Sequence, residues 1–140
     1  MSIGYANNNI YNILYAMALN TYKDVQAFIT NVMEENKVAG APPPKSPHKA
    51  FWLSLSYEDF VNGDVPGVKD PETGNPLKIL AKGNSVTSNL ILALRGQGPL
   101  FDPKHGVFGR MPANSQTPFT DNQIKEIADW IDRGCPDFNT

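Results

Sequence analysis

The chain has 140 residues, with 12 Lys and Arg against 14 Asp and Glu, a net charge of −2 and a single cysteine. This length predicts one domain that folds without a disulfide or metal staple. The nearly balanced charge argues against a nucleic-acid-binding surface, which needs an excess of basic residues. No apolar stretch approaches the roughly 18 residues of a membrane span, so no membrane association is expected.

The N-terminus and the cysteine bear on the compartment. Residues 1–5 lack the basic start and apolar core of a secretory signal peptide, which predicts a cytoplasmic protein. A secreted protein whose leader is absent from this sequence is the alternative. Cys135 has no second cysteine to pair with, and it follows a predicted helix C-terminus, whereas thiolates are stabilised at helix N-termini. We therefore expect a packed, unreactive thiol.

Apolar residues at helical spacing predict four main helices. The last one has the most complete boundary signals, because Thr120 and Gln123 form a capping-box pattern and Gly134 ends the helix. A short helix is expected after Ser56, and Ser85 is the predicted cap of the third main helix. The first three main helices are predicted at about Asn8–Leu19, Lys23–Asn36 (capped by Asn20 or Thr21) and Val86–Arg95.

Long segments rich in Gly and Pro separate these helices. Residues 41–50 contain a proline run that cannot form regular helix, and residues 97–119 form a second long loop. Residues 62–76 have turn chemistry throughout, and an ordinary surface loop is favoured there over a metal site. Because no alternating strand pattern of useful length competes with the helices, the predicted fold class is all-α.

Three segments near the C-terminus read as one unit: Arg110-Met111-Pro112, Phe119–Ile124 and Ile127–Pro136. Together they resemble the end of cytochrome c-like domains, where a Met-Pro loop supplies the distal haem ligand and a T-D-x-x-I helix ends in W-I-x-x-G-x-P. Upstream, Lys82–Ile91 is similar to the family's G-x-x-x-x-S-x-L-I segment, and Tyr57–Phe60 to its mid-domain helix. The resemblance implies a cytochrome c-like helical domain over 23–140, with an extra N-terminal helix within 1–22.

One departure from the family concerns haem attachment. The family attaches haem through a C-x-x-C-H motif, in which both cysteines form thioethers and the histidine binds the iron. The matching stretch here, Pro44-Lys45-Ser46-Pro47-His48, keeps the histidine but has proline at both cysteine positions. Covalent attachment of haem is therefore chemically excluded at this stretch.

Two interpretations follow from this departure. In the preferred one, the domain has lost haem, aromatic side chains and the proline loop fill the interior, and the chain has no cofactor. It would then be a non-catalytic interaction or structural module, or a small accessory subunit of a larger partner such as an oxidoreductase. In the alternative, haem binds non-covalently with His48 and Met111 as axial ligands and Arg110 near a propionate, which would make an electron-transfer protein.

A stand-alone enzyme is not expected. The sequence offers no nucleophile–base pair, no recognisable motif of paired carboxylates and no metal-ligand spacing. Tyr5, Tyr11 and Tyr15 suit a protein interface, because tyrosine offers a large contact area and a polar tip. A protein partner is therefore expected, while a homo-oligomer and ordinary intrachain packing of these tyrosines stay open.

Overall fold

The computed structural model describes residues 19–40, 50–99, 111 and 117–138. None of the helices in these ranges has both the length and the apolar character needed to cross a membrane. The predicted N-terminal helix lies outside these ranges except for its last residue, Leu19. The elements are α1 (Tyr22–Glu35), α2 (Phe51–Ser54), α3 (Tyr57–Asn62), β1 (Asp64–Lys69), β2 (Pro76–Lys78), a 3-10 helix (Ser85–Thr87), α4 (Asn89–Leu94) and α5 (Asp121–Asp132).

The two long helices, α1 and α5, begin where their caps predict. Thr21 Oγ1 accepts a hydrogen bond from Asp24 N, and the Asp24 carboxylate accepts one from Thr21 N. Thr120 and Gln123 form the same reciprocal pair at the start of α5. Each pair satisfies backbone N–H groups that have no partner within the helix, so these two predictions are confirmed.

The prediction of an all-α fold is wrong. β1 lies within residues 62–76, whose sequence predicts turns throughout, and it pairs with β2, which begins at the last of these residues, as a two-stranded antiparallel sheet. The register shifts between Asp64, paired with Lys78, and Lys69, paired with Pro76. Gly67 at φ +70° lies in the irregular part of β1. The irregularity explains why the strand is not visible in the sequence.

The buried side chains of β1 show the effect of this irregularity. Val65 and Val68 are both buried, yet they are three residues apart, and Pro66-Gly67 separates them. A regular strand buries every second residue, so the alternation that signals a strand is missing here. The described chain is therefore mixed, with mostly helices and one small hairpin.

The third predicted helix is divided into two pieces. The 3-10 helix at Ser85–Thr87 comes first, and α4 begins only at Asn89. The predicted cap, Ser85, is instead the first residue of the 3-10 helix, which Asn84 caps by accepting from Thr87 N. The division lies at Ser88, whose side chain points inward and bonds to the backbone of earlier residues.

The helices and the hairpin share one hydrophobic core. Within the described residues, α1 and α5 each contribute a buried apolar stripe, and β1 and α4 add further buried apolar side chains. Phe60 of α3 and Trp130 of α5 are the largest fully buried side chains of this core. The main core residues are Val25, Ile29, Val32, Phe60, Val65, Val68, Ile79, Ile91, Ile124, Ile127, Trp130 and Ile131.

Candidate functional site

The residues predicted for non-covalent haem binding are described only in part. His48 and Arg110 lie outside the described residues. Met111 is half-buried and packs against the hydrophobic core, and its backbone N–H donates to Ala93 O at 3.3 Å. The structure therefore places one predicted haem ligand against α4 and does not test the pairing with His48.

Cys135 is fully buried beyond the end of α5. Burial raises the pKa of its thiol to about 11, and the weaker opposing effects of the Lys82 charge and of a hydrogen bond from the Gly83 backbone do not cancel the rise. The burial confirms the prediction of a packed cysteine, and the raised pKa favours the protonated thiol, which is a poor nucleophile. The described residues thus offer no thiol that fits covalent haem attachment.

Six aromatic side chains form the largest cluster of rings in the described residues, here named the aromatic cluster. Phe60 lies at its centre, fully buried, with its ring centroid 5.1 Å from Tyr22, 5.9 Å from Phe51 and 6.3 Å from Trp130. These separations are typical of favourable ring packing. The members are Tyr22, Phe51, Trp52, Tyr57, Phe60 and Trp130.

Three of the cluster's four polar donors bond to backbone oxygens, and the fourth, Trp52 Nε1, donates to Thr30 Oγ1 at 3.0 Å. Tyr22 Oη donates to Leu55 O at 2.8 Å, Tyr57 Oη donates to Cys135 O at 2.6 Å, and Trp130 Nε1 donates to Pro136 O at 2.9 Å. Burial raises the pKa of Tyr22 to about 12, with a small opposing effect from Gln26. These phenols therefore stay protonated and act as structural donors that hold α2 and the chain after α5.

A second feature is a groove of about 470 Å³ beside the hairpin, here named the lysine groove. It combines buried apolar side chains with polar and cationic ones. Val61 and Leu80 are only 2% and 4% exposed, whereas Lys78 and Lys82 are exposed. The lining residues are Val61, Asn62, Lys78, Leu80, Ala81, Lys82, Thr87 and Asn89.

Ser88 holds one wall of the lysine groove in place. It is fully buried, and its Oγ accepts from Ala81 N at 2.9 Å and donates to Asn84 O at 2.8 Å. These bonds close residues 81–88 into a compact loop. The groove residues Lys82 and Thr87 project from this loop, so their backbone is fixed before any ligand binds.

Four further hydrogen bonds attach the loop to α5 and the first residue of α4 to the hairpin. Asp132 accepts from Ser85 N at 2.7 Å and from Ser85 Oγ at 2.9 Å, and Gly83 N donates to Ile131 O at 3.0 Å. On the other side, the Asn89 amide donates to Lys78 O at 2.8 Å. The walls of the groove are thus joined by hydrogen bonds from both neighbouring elements.

Sequence reasoning missed the lysine groove. Its cationic residues, Lys78 and Lys82, lie on either side of the buried pair Ile79-Leu80, which is the only local signal. The segment containing Ser88 is predicted as the start of the third main helix and as part of the family resemblance, and neither prediction gives the serine itself a role. In the part of the chain that the structure describes, no group of three or more His, Cys, Asp and Glu side chains could hold a metal ion.

Comparison of the chain with protein-family models, with curated proteins and with solved structures finds no match. The resemblance to cytochrome c-like domains therefore stays a prediction that rests on the sequence segments alone.

Proposed function

We propose that the chain is a non-catalytic, haem-free module related to cytochrome c-like domains, and that it acts by binding a partner protein as a structural or accessory subunit. The observation that carries the proposal is the aromatic cluster. Its rings contact each other directly at the centre of the described core, around the fully buried Phe60. Rings that pack on each other in this way occupy interior volume that a prosthetic group would need.

The chemistry of the sulfur atoms supports the same proposal. The stretch that resembles the haem-attachment motif has no cysteine, and Cys135 is buried beyond α5 with its thiol protonated. Both thioether links of covalent haem are therefore missing. A domain without them would have to retain haem through axial ligands and apolar contacts only.

The absence of haem can be tested by absorption spectroscopy. We expect the purified protein to be colourless, and a haemin titration to give weak binding without a sharp Soret shift. Wild type, His48→Ala, Met111→Leu and the control Met33→Leu should then titrate alike. Met33 is a suitable control because it also packs, partly buried, against the core.

A sharp Soret shift that His48→Ala and Met111→Leu abolish, and Met33→Leu leaves intact, would contradict the haem-free proposal. It would favour the electron-transfer alternative, with His/Met ligation of a non-covalent haem.

The partner-binding role has a separate test. An extract of the native source is fractionated by size-exclusion chromatography, and the chain is detected with an antibody. We expect the chain to elute with a larger assembly. Elution at the position of a 15.4 kDa monomer at every concentration would contradict the accessory role.

A further inference from the structure

The lysine groove is lined by two lysines and by no Asp or Glu, on a chain of net charge −2. Two carboxylates lie at its edge, because Asp64 is 3.6 Å from Lys78 Nζ and Glu58 accepts a hydrogen bond from the Asn62 amide. The charge in the groove that no carboxylate of the described residues offsets is that of Lys82, and it attracts anionic groups.

The two ammonium groups differ in their present contacts. Lys78 Nζ donates to Asn62 O at 2.8 Å and lies 3.6 Å from Asp64 Oδ1, while its side chain remains 65% exposed. Lys82 is exposed and pairs with no carboxylate in the described ranges. An incoming anion can therefore bind Lys82 without breaking an existing ion pair.

The remaining lining groups favour a peptide over a lone inorganic anion. The groove has an apolar floor made by Val61 and Leu80, and its volume of about 470 Å³ is several times that of a carboxylate group. Thr87 and Asn89 present a hydroxyl and an amide carbonyl, since the Asn89 amide nitrogen already donates to Lys78 O. These groups match the backbone polar atoms of an extended chain.

A polyanion such as RNA is disfavoured at this groove. Nucleic-acid binding draws its affinity from many phosphate contacts, and two lysines on an acidic chain supply few of them.

We propose that the lysine groove binds an acidic segment of a partner protein, with a carboxylate side chain beside Lys82 and Lys78 and the neighbouring residue on the apolar floor. This inference rests on the partner-binding role proposed above and names the chemistry of the partner. The hydrogen bonds of Ser88 and Asn89 hold the walls in place beforehand, which lowers the entropic cost of binding.

The proposal can be tested by NMR titration of the ¹⁵N-labelled full chain. The probe is the peptide acetyl-Leu-Glu-Glu-Leu-amide, and the control is acetyl-Leu-Gln-Gln-Leu-amide. We expect the acidic peptide to shift the backbone amides of Lys82, Thr87 and Asn89 saturably, with an affinity that falls as salt rises. The Gln peptide should leave these amides unshifted.

Three variants of similar chemistry sharpen the test. We expect Lys82→Gln to weaken binding about fivefold, as removal of one exposed charge pair does, and Lys82→Arg to restore it. The matched control is Lys125→Gln on α5, since Lys125 is exposed and pairs with Asp129 away from the groove. This control should bind the peptide like wild type.

Equal shifts with both peptides, no shift with either, or equal losses in Lys82→Gln and Lys125→Gln would overturn the proposal. Inorganic phosphate that shifts the same amides and displaces the peptide at equal concentration would identify a small-anion site and overturn it too. The titration contains no haem, so its failure is distinguishable from failure of the haem-free proposal. Failure of the peptide titration is likewise distinguishable from failure of the accessory role, because the accessory role is contradicted by elution of the native chain as a monomer.

Discussion

Ser88 shows how one hydroxyl can organise a loop. Its Oγ is fully buried and lies within hydrogen-bond distance of Ala81 N, Asn84 O and Ala81 O, at 2.9, 2.8 and 3.3 Å. The same inward orientation separates the 3-10 helix from α4. A buried polar group is tolerated only when it is hydrogen-bonded, and here the partners are backbone atoms seven and four residues away.

Replacement of Ser88 by Ala should therefore destabilise the fold by about 2 kcal/mol, because the half-buried Ala81 N–H would lose its acceptor and Asn84 O its donor. The free energy of unfolding in urea is the measurement. Ser54→Ala is the control, since Ser54 is exposed and makes only a 3.5 Å contact with Phe51 O. Its effect should stay within about 0.5 kcal/mol. Equal losses in the two variants would contradict the role assigned to Ser88.

Cys135 makes stability depend on pH in the alkaline range. Burial raises its pKa from 9.0 to about 11, so the folded thiol keeps its proton where the unfolded thiol loses it. The contribution to stability is complete below pH 9 and should be lost as pH rises toward 11. We expect the urea midpoint of the wild type to fall more steeply between pH 9 and pH 11 than that of Cys135→Ala.

Tyr22 also has a raised pKa, about 12, and it is present in both proteins. Its ionisation therefore lowers the stability of the wild type and of Cys135→Ala in the same way. Only the difference between the two slopes reports on the thiol. Parallel slopes would show that the thiol ionises alike in the folded and unfolded chains.

At the scale of elements, the passage from α3 into β1 depends on Gly63. Its N–H donates to Asp59 O at 2.8 Å and ends α3, and its carbonyl accepts from Ile79 N at 3.2 Å beside the hairpin. A side chain on Gly63 would place its Cβ 2.3 Å from Asp59 O. The constraint is steric, because the backbone of Gly63 is otherwise in an ordinary extended conformation.

We expect Gly63→Ala to destabilise the protein by at least about 2 kcal/mol, because backbone atoms of α3 must move to admit the methyl group. Gly74→Ala is the comparison: its Cβ meets open space, and its φ of +74° alone should cost about 1 kcal/mol. Thermal unfolding followed by far-UV circular dichroism would rank the two variants. A larger loss in Gly74→Ala would contradict the steric account.

At the scale of the whole molecule, the aromatic cluster links helices that are far apart in sequence. Phe60 of α3 contacts Tyr22 of α1, Phe51 of α2 and Trp130 of α5. Through Tyr57 Oη the cluster also holds the backbone of Cys135. Phe60 thereby contacts one aromatic residue on each of three other helices, and we expect the described fold to unfold as one unit.

Phe60→Ala should lower the free energy of unfolding by about 3–5 kcal/mol and broaden the near-ultraviolet circular dichroism signal of the rings. Phe138→Ala is the control, because Phe138 is 66% exposed. Its effect should be within about 0.5 kcal/mol. A small loss in Phe60→Ala would show that the cluster can collapse around the cavity and that its packing is not specific.

The sequence alone predicts the starts of α1 and α5, the packed cysteine and the exclusion of covalent haem at 44–48. Each of these predictions depends on residues that lie close together in the chain. A capping box joins residues three apart, and attachment of haem requires cysteines at set spacing from one histidine. The family resemblance has the same local basis, and it remains a prediction.

The hairpin, the inward Ser88 and the lysine groove were decided only by tertiary structure. The irregular register of β1 hides the strand alternation, and Val65 and Val68 are both buried only because the hairpin lies against the core. The loop that forms one wall of the groove is attached to α5 by the hydrogen bonds from Ser85 to Asp132, 47 residues away. Contacts over such distances depend on how the elements pack, so no pattern within one segment could predict them.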